Sequence, residues 1–68
     1  MSKATRALSR WRDIKRELGK LNRDSEYMKI NLEFGLPDSF LEDDCREMAD
    51  SLETCESAVR DILREMKP

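Results

Sequence analysis

The chain has 68 residues, of which 41% are charged and 6% aromatic, with a formal net charge of −2 and no histidine. A domain this small buries only about 60% of the surface its unfolded chain exposes, so a partner is expected to complete its core. No apolar run approaches the roughly 20 residues of a membrane span and no apolar signal core follows the basic residues at the start, so the chain is expected to be soluble, unexported and cytoplasmic.

A first helix is expected over about residues 2–34. Ala4, Leu8, Trp11, Leu18, Leu21, Met28 and Leu32 share a heptad register if Lys15 and Ser25 fill two of its positions and Ile14, beside Lys15, supplies the missing hydrophobe. Gly19 costs about 1 kcal/mol against alanine inside a helix, and Asn22-Arg23-Asp24-Ser25 could cap a fresh start. A break between residues 19 and 25 is therefore the main risk to a continuous first helix.

The turn is expected at residues 35–38. Gly35 suits the left-handed position just past a helix end, Leu36 can pack back on Ile30, and Pro37 opposes continuation. So short a connection between long helices makes them antiparallel neighbours.

The second helix, about residues 39–66, has the clearest pattern. Leu41, Cys45, Met48, Leu52, Cys55, Val59, Ile62 and Met66 recur at alternating spacings of four and three, an unbroken heptad seam. Asp38 or Ser39 is the expected N-cap, Ser39 to Glu42 reads as a capping box, and Asp43 and Asp44 complement the positive end of the helix dipole. Cys45 and Cys55, ten residues apart on this helix, stand about 15 Å apart and cannot bridge within the chain. They are expected to be buried free thiols acting as small hydrophobes in a reducing compartment.

Aligning the two seams about the turn pairs residues whose numbers sum to 73: Leu32 with Leu41, Met28 with Cys45, Ser25 with Met48, Leu21 with Leu52, Leu18 with Cys55, Ile14 with Val59 and Trp11 with Ile62. The expected fold is thus all-α, one antiparallel two-helix hairpin domain spanning residues 1–68, coiled-coil-like and dimerising into a helical bundle. One seam is a thin core for 68 residues, and a homodimer is the favoured remedy.

The residues present exclude most chemistry. Without histidine, a glycine-rich phosphate loop or a clustered set of metal ligands, the sequence implies neither an enzyme nor a bound cofactor or metal. The acidic run Glu42-Asp43-Asp44 does not converge, because consecutive helical side chains point in different directions.

Charge is divided unevenly, with +6 over residues 1–23, −9 over 24–56 and +1 over 57–68. A hairpin brings the termini together, so the molecule is expected to be a rod with a basic terminal end and an acidic turn end, and antiparallel pairing of two such rods sets unlike ends together. Tyr27, Ile30, Phe34, Leu36 and Phe40 cluster around the turn and form the expected partner-binding site of an adaptor, chaperone or inhibitor, and the small size is that of many phage and bacterial accessory proteins. The alternative is nucleic-acid binding through Arg6, Arg10, Arg16, Lys20 and Arg23, expected on the outer face of the first helix, although Asp13 and Glu17 interrupt that stripe and the pI of about 5.1 is far from basic.

Overall fold

A computed structural model describes residues 2–66, folded as two helices packed against each other. Helix α1 runs Lys3–Phe34 and α2 runs Asp38–Met66, forming a hairpin rod of 50 × 15 × 13 Å. Ser2 caps α1. Its backbone is extended, its hydroxyl accepts the Thr5 amide at 3.1 Å, and its carbonyl accepts the Arg6 amide at 3.1 Å.

α1 does not break at residues 19–25. Gly19 stands in open space where no contact forces a bend, while Leu21 and Asp24 on either side of Asn22 are packed toward α2. Packing along 32 residues outweighs a local cost of about 1 kcal/mol at one glycine.

Gly35 ends α1 with φ 63° and ψ 37°, the left-handed conformation in which only glycine is free of Cβ strain. Its amide and that of Leu36 both reach back to the Asn31 carbonyl, the latter at 3.0 Å, satisfying the end of the helix. α2 begins one residue before the expected start. The Pro37 carbonyl accepts the Phe40 amide at 3.0 Å, which places Asp38 and Ser39 in the first turn instead of at the cap.

The axial alignment about the turn is close to expectation, as Arg6 meets Glu65 and Arg10 meets Asp61 near the termini while Asn31 meets Asp44 near the turn. The rotation of the helices is not. Between the helices lie Ala7, Ile14, Glu17, Leu21, Asp24, Met28 and Asn31 of α1 and Leu41, Asp44, Met48, Ser51, Cys55, Ala58, Ile62 and Glu65 of α2, all buried or half-buried.

Both sets keep the alternating spacing of a seam, but only Ile14, Leu21 and Met28, with Leu41, Met48, Cys55 and Ile62, belong to the expected one. Most of the pairs that sum to 73 are therefore not formed as core pairs. Trp11, Leu18, Leu32, Leu52 and Val59 are each at least half exposed, and Cys45, expected as a buried thiol, is exposed too. Cys55 is partly buried, and both thiols are free.

The difference amounts to turning α2 by one heptad line, roughly 50°, with α1 turned in the same sense. The apolar stripe of each helix is wider than one partner can cover. The hairpin covers one edge of it, together with the adjoining line of small and polar residues. Ser51 and Ala58 on that line are small enough to let the backbones approach, and both are buried.

Candidate protein-binding surfaces

The interior of the hairpin is polar where a self-sufficient core would be dry. Ala58 is the one buried hydrophobic residue among those described, whereas Glu17, Asp24 and Ser51 are buried polar ones. The Glu17 carboxylate lies 3.5 Å from Lys20 Nζ and 3.7 Å from Arg16 Nε, with the Ser51 hydroxyl of α2 beside it. Burial pushes this carboxyl up, but the Ser51 hydroxyl, Lys20 and Arg16 together outweigh burial and hold it below the usual carboxylate range. Asn31 donates to Asp44 at 2.6 Å. Asp24 has no hydrogen-bond or ion-pair partner among the described residues, although it is 5% exposed.

Residues seven apart lie on one line of a helix, so the lines flanking the seam can be assigned to the two broad faces of the rod. One face is set by contacts. Asp13 of α1 shares a shallow groove with Thr54, Ser57 and Asp61 of α2, and Arg10 Nε reaches Asp61 at 3.4 Å. The line of Asp13 continues through Lys20 to Tyr27 and Phe34, and the line of Asp61 and Thr54 continues to Phe40. Tyr27, Phe34 and Phe40 therefore share this face at its turn end. Ile30 lies on the outer line of the same face, Leu36 sits at the tip, and all five expected partner-binding residues are exposed, Phe34 most of all at 75%. The structure brings this patch together.

The terminal half of the same face is an ion-pair lattice. Arg6 grips Glu65 with two parallel hydrogen bonds, Nε to Oε1 at 3.1 Å and Nη2 to Oε2 at 2.9 Å. This fork raises the Arg6 pKa and lowers that of Glu65, the hydrogen bond being the largest cause in each. Arg16 lies 3.4 Å from Asp13, and a cleft of about 500 Å³ between the helix ends is lined by Arg6, Arg10, Asp61 and Glu65, cation beside anion. Of the five residues considered for nucleic acid, Arg6, Arg10, Arg16 and Lys20 are thus engaged by carboxylates, and Arg6, Arg10 and Lys20 lie on or beside the seam instead of opposite it, whereas Arg16 stands on the outer line. Arg23 projects from the outer line.

No family model, curated protein or solved structure matches this chain.

The opposite face carries the lines left over from the expected seam: Trp11, Leu18 and Leu32 of α1, with Cys45, Leu52, Val59 and Met66 of α2. Leu8 and Leu63, one line further out, extend it, and all of these are exposed. The large residues of this face gather toward the terminal end, away from the aromatic patch at the turn. What the pattern of hydrophobes alone did not reveal is the polar line of buried Glu17 and Asp24 and half-buried Asn31. The signal was available, since these residues repeat every seven positions beside Ile14, Leu21 and Met28. Among the described residues no three Cys, Asp or Glu side chains are grouped so as to hold a metal ion, and no helix is long and apolar enough to cross a membrane.

Proposed function

We propose that this protein is a non-enzymatic binding module: a hairpin that self-associates through one face and presents the turn-end patch of Tyr27, Ile30, Phe34, Leu36 and Phe40 to a protein partner, as an adaptor, chaperone or inhibitor does. One observation carries this. Among the described residues thirteen large hydrophobic residues are exposed while a single alanine is the buried hydrophobe, an inversion that a subunit or binding surface corrects by association.

The chemistry around the patch narrows the partner. Glu26, Glu33, Glu42 and Glu47 surround the turn end within the −9 segment, so an apolar anchor flanked by lysine or arginine is the complementary ligand. A binding role also suits a chain without histidine.

The test is affinity capture from the native host with wild-type and Phe34→Asp protein, each with and without nuclease. A partner that survives nuclease and is lost with Phe34→Asp supports the proposal. A partner retained by Phe34→Asp, or one released by nuclease, overturns it.

A further inference from the structure

We propose that the face bearing Trp11, Leu18, Leu52 and Val59 binds a second copy of this chain turned end over end, so that two hairpins close a four-helix bundle. This rests on the self-association half of the function proposed above and specifies its surface and orientation.

The occupant follows from the pattern. Each helix carries an apolar stripe two lines wide, of which the hairpin covers one line. A helix in a four-helix bundle touches two neighbours and needs that breadth, whereas a two-helix hairpin needs half of it. Leu8 and Leu63 widen the uncovered stripe at its terminal end.

Area agrees. The chain exposes 5440 Å², whereas a compact monomer of 8.0 kDa exposes about 4,450 Å². The excess, roughly 1,000 Å², is close to the 800 Å² or so that each partner loses in a stable interface.

Charge and size choose the orientation. With like ends together, basic residues crowd one end of the assembly and the −9 segments the other. In that arrangement Lys15 can reach Glu56 of the second copy, and Lys29 can reach Glu42, but exposed pairs of this kind are worth only about 0.2–1 kcal/mol each. Turned end over end, the basic end of each copy lies against the acidic end of the other. The same inversion sets the bulky Trp11 and Val59 of one copy level with the small Ser25, Cys45 and Ala49 of the other, so that large side chains meet space for them.

Two measurements on the folded chain test this. Sedimentation equilibrium through the micromolar range should give twice the 8.0 kDa mass. A spin label on the exposed Cys45, in a Cys55→Ala background, should report a pair distance of about 25 Å, because inversion offsets the two sites by roughly 17 residues at 1.5 Å rise. Leu18→Glu with Leu52→Glu should weaken the dimer more than about a hundredfold, as charges at the centre of an interface do.

A single-chain mass overturns the inference, as does a label distance below about 15 Å, which belongs to like ends together across a bundle of helices packed 8–10 Å apart. Retention of the dimer by the double variant assigns association to another surface and overturns it equally. Because a hairpin deprived of its partner can unfold, the wild-type mass and the label distance each stand as tests without that variant. Phe34→Asp lies on the other face and should leave the dimer intact, so loss of the turn-end partner and loss of the dimer are separately readable.

Discussion

The Glu17 carboxylate and the Ser51 hydroxyl, both on buried residues, face each other across the middle of the hairpin, and the hydroxyl helps to hold the carboxyl below its usual range. In the folded chain Glu17 binds its proton less tightly than an ordinary glutamate does, and so does Glu65, held by Arg6. Both stabilise the fold fully above the unfolded glutamate pKa of about 4.3, and the contribution is lost as pH falls through the lowered folded values. Thermal melts at fixed protein concentration should be flat from neutral pH to about pH 5.5 and fall below about pH 4.5. Ser51→Ala should lower the midpoint at neutral pH and flatten the acid limb. An unchanged acid limb would show that this contact is not what responds to pH.

Asp24 should be a site where polarity costs stability. It lies on the seam beside Leu21 and Met28 and is 5% exposed, with no hydrogen bond or ion pair among the described residues and no carboxylate oxygen that is both fully buried and unpaired. Replacing a seam carboxylate that makes no such contact by a hydrophobe of similar bulk extends the apolar line of Leu21 and Met28, a gain of about 1 kcal/mol. Asp24→Leu is expected to raise the melting temperature by about 4 °C or more in a chain this small. A lower midpoint would mean that the carboxylate has a favourable role in the assembled protein.

The two glycines should respond with opposite signs to the same substitution. At Gly19 the added methyl meets open space and the helix gains propensity, so Gly19→Ala is expected to stabilise by about 0.5–1 kcal/mol. At Gly35 the space is equally open, but φ is 63°, and Gly35→Ala is expected to destabilise by about 1 kcal/mol through backbone strain alone. Denaturant melts at matched concentration resolve both. Stabilisation by Gly35→Ala would show that the turn has changed conformation.

The Arg6 to Glu65 fork should matter locally more than globally. Arg6 is exposed and Glu65 half-buried, with side chains 44% and 33% accessible, so solvent and salt screen the pair. Arg6→Ala is expected to leave the midpoint nearly unchanged while speeding amide hydrogen exchange in the first turns of α1 and the last of α2, and added salt should reduce the difference. Equal protection in the variant would show that apolar packing, not this pair, closes the terminal end.

The elements themselves were legible in residues taken locally. The heptad spacing of Leu41 to Met66 set α2, Gly35 and Pro37 set the turn, and the turn set the axial alignment, because a three-residue link leaves little freedom to slide. The aromatic cluster around that link was legible for the same reason, since residues close to a tight turn must be close in space. The rotation of the helices was decided only by the tertiary structure. A heptad states that a helix has an apolar side; it does not state how many neighbours share that side. Two lines of hydrophobes beside a line of small and polar residues are compatible with several facings whose local propensities are the same. The packing of Ser51 and Ala58 against α1 selects among them, and that choice turns Trp11, Leu18, Leu52 and Val59 from expected core into exposed surface.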